Sequence, residues 1–297
     1  MKSLEEEARV QVKNILFPTD LSEAGLAACP YAAELAKRFG AQLYVLHVVA
    51  PAVNPMTEPA TWAVLEKASE AEAERERRTL RDAFPEIAPE ILIEEGGFWT
   101  VLESALKKYA IDLIVLGTHG RTGAKRFFLG SLAEEIFRKA PCPVITIGPS
   151  SKEKPLKGWE FEQIVYGTDF GPGYKAAASL AISLAEEFQA HLTLVHVIEE
   201  RGSGDLVNAE EVEASSARML RKLIPPEAEL WCDPQVTVMR GPAAQRILEL
   251  ATSKEANLIV LGVHRPKGLP GAATHLPVST VHEIVTQAKC PVLTVQG

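Results

Sequence analysis

The chain lacks the features that mark several common classes of protein. Basic residues are not in excess, since 31 Lys and Arg against 39 Asp and Glu give a net charge of −8. This acidic balance argues against a nucleic acid or an anionic membrane surface as partner. No apolar run is as long as a membrane span, and Met1–Glu7 does not have the form of a signal peptide. The four cysteines include no Cys-x-x-Cys pair, which is typical of reduced thiols in a cytoplasmic protein.

The usual motifs of catalysis are missing as well. The glycine-rich stretch near residue 120 is not a Walker A loop, because no Gly-Lys-Ser/Thr follows at the required spacing, and it is not a Gly-x-Gly-x-x-Gly loop. There is no Ser/His/Asp arrangement at a recognisable spacing and no cluster with the spacing of metal ligands. The sequence therefore gives no direct indication of an enzyme active site.

What the chain does contain is an internal repeat. Near the start of the two halves, corresponding residues are offset by 149 positions, as for Asp20 and Asp169 (169 − 20) and for His47 and His196 (196 − 47). The matching segments are Ile15–Asp20 with Ile164–Asp169, Leu46–Val48 with Val195–Val197, Asp112–His119 with Asn257–His264, and Cys142–Val144 with Cys290–Val292. This repeat indicates a tandem duplication, with a first domain over 1–149, a polar linker over 150–160 and a second domain over 161–297.

Each half alternates apolar strand segments with helical segments. In the first half the sequence predicts strands near 12–18, 41–49, 90–95, 111–117 and 143–148, and helices near 23–39, 60–83, 98–109 and 130–140. The strands are continuous runs of Val, Ile and Leu, which is typical of a parallel sheet covered by helices on both faces. The predicted fold class is α/β: two tandem, doubly wound, five-stranded parallel-sheet domains of Rossmann-like type.

One constellation in the first half points to a bound anion. Gly117 and Gly120 follow the fourth predicted strand, where glycine lets backbone N–H groups approach a ligand closely. Gly130 and Ser131 then open a helix, whose N-terminal amides and dipole favour a negative group. Asp20 follows the first strand and belongs to the same edge of the predicted sheet. The pattern predicts a site for the phosphates of a nucleotide.

Plainer roles stay open for these residues. Asp20 could cap the helix that follows it, although Ser22 is better placed to do so. Gly130-Ser131 could be only a turn and a helix start. For His47 and His196, which recur in the two repeats, a structural role at a strand end is favoured over acid–base chemistry.

Taken together, these motifs resemble the universal stress protein family in its tandem two-domain form, across essentially the whole chain. ATP-binding members of that family carry Gly-x2-Gly-x9-Gly-Ser/Thr, and the first half matches this pattern in full. The resemblance implies that Asp20 accepts hydrogen bonds from the ribose, that Val48 meets the adenine through its backbone, and that the glycines line the phosphates. The implied ATP site comprises Pro18, Thr19, Asp20, Val48, Gly117, His119, Gly120, Arg121, Gly130 and Ser131.

The resemblance also implies the companions of the nucleotide. Lys125 and Arg126 lie with Arg121 in the loop between the glycines, where each is either a phosphate ligand or a solvated charge. A divalent ion, Mg²⁺ or Mn²⁺, is expected to accompany the ATP, because Mg²⁺ is usually bound through phosphates with few protein ligands. The sequence does not identify the residues that would bind this ion.

The second half departs from the family pattern after its fourth strand. Arg265 stands where the first half has Gly120, and Val278-Ser279 stands opposite Gly130-Ser131. A β-branched side chain and added prolines would obstruct a phosphate-binding loop. The sequence therefore predicts one competent ATP site, in the first half. His264, His275 and His282 lie in or after the altered loop, but their spacing fits no metal motif.

The resulting functional hypothesis is an ATP-binding stress-response or signalling protein with no turnover or slow turnover. The alternatives are an ATP-dependent enzyme on the same scaffold, which would hydrolyse ATP slowly or transfer a phosphoryl or adenylyl group, and a nucleotide-free scaffold. Single-domain family members typically dimerise through their last strands. The resemblance thus implies that Val144–Ile147 pairs with Val292–Val295 across a pseudo-two-fold axis, covering two apolar edges. Association of two chains into a homodimer is left open.

Overall fold

A computed structural model gives the architecture of the chain. It describes residues 12–49, 59–117, 133, 135–136, 139–148, 151, 161–199, 209–230, 232–263 and 280–296. These residues divide into two compact units, one that ends at residue 117 and one that begins at residue 133. The last strand of the first sequence repeat belongs to the second unit.

The first unit alternates strands and helices as predicted. Its strands are β1 (Asn14–Pro18), β2 (Gln42–Val49), β3 (Glu90–Glu95) and β4 (Leu113–Gly117). Its helices are α1 (Glu23–Leu26), α2 (Cys29–Phe39), α3 (Pro59–Ala83) and α4 (Phe98–Lys108). The strands are parallel and lie in the order β3-β2-β1-β4. Because the chain moves outward from β1 to β3 and returns on the other side of β1, the strand order reverses between β1 and β4.

The first predicted helix, over 23–39, is broken in the structure. Helix α1 ends at Leu26 and α2 begins at Cys29, with Pro30 in its first turn. Proline has no N–H, so Pro30 cannot donate to the carbonyl of Leu26 four residues earlier, and a continuous helix would lose that bond. The break leaves a one-turn helix directly after the β1 loop.

The second unit contains β5 and the whole second repeat. Its strands are β5 (Val144–Ile147), β6 (Gln163–Thr168), β7 (His191–Ile198), β8 (Gln235–Arg240), β9 (Leu258–Val263) and β10 (Val292–Gln296). Its helices are α5 (Tyr174–Phe188), α6 (Ala209–Arg221), α7 (Ala243–Ser253) and α8 (Thr280–Gln287), with a 3₁₀ turn at Pro226–Leu230. The strand order is β5-β10-β9-β6-β7-β8, and the five strands of the second repeat are mutually parallel. The predicted fold class is confirmed.

Strand β5 is antiparallel to β10, so the last strands of the two repeats pair as predicted. Leu293 lies opposite Ile145, and the hydroxyls at the two ends of the pairing mirror each other. Thr146 Oγ1 donates to the carbonyl of Val292 at 3.1 Å, and Thr294 Oγ1 donates to that of Val144 at 3.2 Å. Both threonines are buried. The pairing gives each apolar strand a partner, so neither is left as a bare edge at this contact.

Apolar side chains from the strands form the cores. Ile15, Leu16 and Phe17 of β1 are fully buried, and the Phe17 ring meets Phe84 edge to face with centroids 5.9 Å apart. In the second unit Phe161 packs against Phe188 in the same manner, at 4.6 Å. These cores hold the strands whose carboxyl ends carry the loops of the candidate site. Among the described residues, no helix is long and apolar enough to cross a membrane.

Candidate functional site

The candidate site of the first repeat lies at the carboxyl ends of β1, β2 and β4. Pro18 pairs with Leu46, so Asp20 and Val48 each lie two residues beyond the last pair of β1 with β2. The amide of Thr19 continues the pattern by donating to the carbonyl of Leu46 at 2.9 Å. On the other side, Ile15 pairs with Leu113 and Leu16 with Ile114, and Gly117 is the last residue of β4. The register brings Thr19, Asp20, Val48 and Gly117 to one edge, where the strand order reverses.

Side-chain oxygens hold the loop after β1 in one shape. Thr19 Oγ1 accepts a hydrogen bond from the amide of Leu21 at 3.1 Å, and Asp20 Oδ1 accepts from the amide of Ser22 at 3.0 Å. Ser22 Oγ accepts from the amide of Gly25 at 3.0 Å and is the N-cap of α1. The cap is thus made by Ser22, as its position suggested, while Asp20 closes a tight turn. The carboxylate of Asp20 is fixed before any ligand arrives.

Gly25 makes this carboxylate position possible. A Cβ at Gly25 would lie 2.9 Å from Asp20 Oδ1, closer than Cβ atoms approach another atom, and 3.2 Å from Ser22 Oγ, a tight contact. In this loop, where Gly25 is the third residue of α1, a Cβ would push the Asp20 carboxylate away from its place. No sequence pattern pointed to this role, because a glycine in a helix gives no sign of the contact it allows.

The backbone of this loop is strained at Leu21. Its φ is 59°, in the left-handed region that a bulky residue rarely occupies. Such a conformation costs about 1 kcal/mol and persists only where the surroundings impose it. Here the two turns closed by Thr19 and Asp20 impose it, and the result is a carboxylate directed by a rigid loop.

A buried histidine ties the loop to the adjacent strand and to α3. His47 is 5% exposed, and its Nδ1 lies 2.8 Å from the carbonyl oxygen of Thr19. Because a carbonyl can only accept, Nδ1 must carry the hydrogen. Nε2 then faces Glu76 Oε1 at 3.5 Å, while Glu76 Oε2 is buried without a hydrogen-bond partner. His47 therefore acts as a structural link in this repeat, and no sequence pattern pointed to Glu76.

The remaining predicted site residues lie outside the described residues. They are His119, Gly120, Arg121, Gly130 and Ser131, together with the loop cations Lys125 and Arg126. Their roles stay predictions from the sequence pattern. Among the described residues, no group of three His, Cys, Asp or Glu side chains could hold a metal ion.

The second repeat reproduces the loop geometry of the first. Thr168 Oγ1 accepts from the amide of Phe170 at 2.9 Å, and Asp169 Oδ1 accepts from the amide of Gly171 at 2.8 Å. His196 Nδ1 lies 2.8 Å from the carbonyl oxygen of Thr168, as His47 does from that of Thr19. Phe170 has a φ of 57°, matching the strained residue of the first loop. The turn that fixes the aspartate is thus built twice.

The two loops differ at the position of Gly25 and in the group that contacts the ring of the histidine. Tyr174 stands at the position of Gly25 (25 + 149) and opens α5, and its carbonyl accepts from Tyr166 Oη at 2.7 Å. The ring of His196 packs on Phe170 with centroids 4.6 Å apart. His196 also lines a cavity of about 390 Å³ at the carboxyl ends of β6, β7 and β9. The second repeat therefore has an open volume beside its aspartate.

The fold defines a pair of α/β repeats, each with an aspartate loop at the carboxyl edge of its sheet. The chain belongs to the universal stress protein family, whose sequence profile matches residues 11–148 and again residues 160–296. The two matches are the tandem arrangement that the sequence repeat predicted.

Individual relatives agree with this assignment. A universal stress protein of Methanocaldococcus jannaschii is 34% identical over 146 residues, which are 48% of this chain and 85% of that protein. A universal stress protein of Mycobacterium tuberculosis is 27% identical over 293 residues, covering 91% of this chain and 92% of the relative. The crystal structure of a universal stress protein from Archaeoglobus fulgidus has a TM-score of 0.67 at 18% identity, with 96% of this chain and 99% of that chain covered. That structural likeness concerns the fold.

Proposed function

We propose that the first repeat binds ATP and that the protein acts in stress response or signalling through this bound nucleotide. The observation that carries the proposal is the Asp20 carboxylate, held by a backbone amide at the edge of the sheet where β2 carries Val48 and β4 ends at Gly117. Family members are often ATP-binding proteins, and the first repeat of this chain keeps the full glycine motif. We also propose that the two domains span residues 1–149 and 161–297.

The described residues suit the nucleoside part of ATP. A carboxylate has about four acceptor sites, and the Ser22 amide uses one of those on Oδ1, so the group is chemically suited to accept the hydroxyls of a ribose. Val48 is the second-last residue of β2, and its backbone amide and carbonyl would meet the hydrogen-bonding edge of the base. Both residues are half-buried, so a ligand reaches them without unfolding the loop.

The phosphate part of the proposal comes from the sequence. Gly117, Gly120, Gly130 and Ser131 have the family spacing, and glycines at a strand end followed by a helix start favour a phosphate. Gly117 ends β4 at the point of strand reversal, where ligands of such sheets bind. A divalent ion, Mg²⁺ or Mn²⁺, would reach this site on the phosphates and neutralise part of their charge.

Turnover is proposed to be absent or slow. A general base for ATP hydrolysis must lie within hydrogen-bond reach of an attacking water. His47, the buried histidine next to the site, already donates through Nδ1 to Thr19 and faces Glu76 through Nε2. It is therefore engaged in holding the loop. All four cysteines are thiols and not disulfides, which suits the proposed cytoplasmic location, a reducing compartment.

The duplication supplies a matched pair of variants for a test. Asp20→Asn keeps an oxygen for the Ser22 amide but removes the charge and half of the acceptor capacity. Asp169→Asn makes the same change in the second repeat. In calorimetric titrations with ATP and Mg²⁺, Asp20→Asn is expected to weaken binding at least about tenfold, since a hydrogen bond to a charged group contributes about 1.5–3 kcal/mol. Asp169→Asn is expected to leave ATP affinity unchanged.

Other results of these titrations would contradict the proposal. If the intact chain binds no ATP, the nucleotide-free scaffold alternative is correct. If both asparagine variants weaken binding equally, the nucleotide is not held by the first repeat alone. ADP formation measured over hours at saturating ATP separates a binding protein from an ATP-dependent enzyme.

A further inference from the structure

We propose that the cavity of the second repeat is a separate site for a nucleoside without phosphates. The second repeat keeps the half of the site that holds a sugar and a base, and replaces the half that holds phosphates. The proposal rests on the proposed function, because the role of Asp169 is taken from that of Asp20.

The hydrogen bond that closes the aspartate turn is present in both repeats. Asp169 Oδ1 accepts from the amide two residues ahead, as Asp20 Oδ1 does, at 2.8 Å and 3.0 Å respectively. Each aspartate is followed by a residue with φ near 60°, at 57° for Phe170 and 59° for Leu21. The register sets Asp169 beside Val197, since Thr168 pairs with His196. A carboxylate and a strand backbone are therefore offered at the same relative positions in both repeats.

The second repeat also has room for such a ligand. The cavity beside Asp169 measures about 390 Å³, at the lower end of the range of small-molecule sites. Its walls combine apolar side chains, including Val197, Ile247 and Val212, with the imidazole of His196. Val212 is 47% exposed on α6, which is unusual for a large apolar side chain and gives a base a surface to pack on.

Charge in this cavity opposes a phosphate. Asp169 and Glu199 both line it, and no lysine or arginine is found among the described residues of its wall. Glu199 Oε1 accepts from the amide of Ala243 at 3.2 Å, in the first turn of α7. A helix N-terminus is where an anion would otherwise bind, and here the chain's own carboxylate takes that amide. In the first repeat the corresponding residue is Ala50 (199 − 149), which carries no charge.

The ligand is therefore an uncharged molecule with an apolar or aromatic body and hydroxyl donors. Hydroxyls of a sugar donate to Asp169 without bringing a negative charge toward Glu199. A nucleoside has this chemistry, whereas a nucleotide brings a like charge to two carboxylates. The two repeats would then respond to different ligands, one phosphorylated and one not.

Adenosine is the probe that tests this site. Equilibrium dialysis of labelled adenosine against the full chain, with the first repeat saturated with ATP and Mg²⁺, is expected to give one adenosine per chain. Asp169→Asn should weaken adenosine binding about tenfold and leave ATP affinity unchanged. Val212→Trp, a change at an exposed position, should fill the cavity and abolish adenosine binding. AMP should bind more weakly than adenosine, and Glu199→Gln should reduce this difference in affinity about fivefold.

The outcomes separate this inference from the proposed function. No adenosine binding to the ATP-saturated chain, or binding that is equal in Asp169→Asn and the unaltered chain, overturns the second site. AMP binding as strong as adenosine binding overturns the claim that phosphate is excluded. If ATP does not bind at all, adenosine is titrated into Asp20→Asn: loss of that binding on adding Asp169→Asn upholds the second site, and only the ATP proposal fails.

Discussion

At the scale of single residues, the candidate site depends on short polar side chains that accept backbone amides. Thr19, Asp20 and Ser22 each close a turn of the loop after β1, and His47 fixes the carbonyl of Thr19 from the neighbouring strand. The conformational entropy of the Asp20 side chain is thereby lost on folding and not on binding. This pre-organisation is the physical content of the proposed ligand role.

Substitutions at two glycines of the first repeat test whether the position of the Asp20 carboxylate matters, because opposite results are expected from them. Gly25→Ala should displace the Asp20 carboxylate and weaken ATP binding, with little change in the free energy of unfolding, because alanine is a good helix former. Gly40→Ala meets no neighbouring atom, but its φ of 60° is unfavourable for alanine, so it should lower stability by about 1 kcal/mol and leave ATP affinity unchanged. Urea unfolding and calorimetry measure the two quantities. Equal ATP affinity in both variants would show that the position of the carboxylate does not matter.

Prediction from the sequence is least complete for the contacts of single residues. The glycine spacing pointed to Gly117, the loop after the first strand to Asp20 and the family resemblance to Val48, and all three lie at the carboxyl edge of the sheet. Gly25 and Glu76 were not foreseen. Their roles depend on the distance of one side chain from another across different elements, and no local pattern encodes such a distance.

At the scale of elements, the parallel strands were the most predictable part. Continuous runs of Val, Ile and Leu identify them, and β3 was predicted with its observed bounds. The helix after β1 was predicted too long, because the apolar pattern continues through Leu26 while Pro30 removes the hydrogen bond that would join the two halves. A pattern of apolar side chains indicates which face of a helix is buried, but it does not show where a backbone N–H is missing.

The pairing of β5 with β10 gives a prediction at this scale. The hydroxyls of Thr146 and Thr294 make equivalent bonds to the opposite strand, at 3.1 Å and 3.2 Å. Thr146→Val and Thr294→Val should each lower the free energy of unfolding by about 1 kcal/mol, the usual net value of a buried hydrogen bond. Urea denaturation of the single and double variants provides the comparison. A large loss in one variant and none in the other would mean that the two ends of the pairing are not equivalent.

At the scale of the whole molecule, buried ionisable groups predict a decline in stability at alkaline pH. Burial raises the pKa of the Cys29 thiol from 9.0 to about 12, that of Cys232 to about 11 and that of the Tyr166 phenol from 10.0 to about 12. Between about pH 9 and pH 12 the unfolded chain loses protons that the folded chain keeps, so the free energy of unfolding falls as pH rises. Full stability is expected below pH 9 as far as these groups are concerned.

Tyr166→Phe checks this assignment. The variant should lose about 1 kcal/mol at neutral pH, because the bond from Tyr166 Oη to the carbonyl of Tyr174 disappears. Its stability should then fall less steeply than that of the unaltered chain above pH 10, where the unfolded phenol would have ionised. Urea unfolding at several pH values gives both slopes. Parallel curves would show that Tyr166 does not contribute to the alkaline decline.

The molecule as a whole is a duplicated fold in which one aspartate loop is built twice and one glycine motif is kept once. The measurement that tests this account most directly is the stoichiometry of ATP binding, by calorimetric titration with Mg²⁺. The expected result is one ATP per chain, abolished by Gly130→Val, which copies Val278 of the second repeat into the first. Two ATP per chain, or binding that survives Gly130→Val, would contradict it.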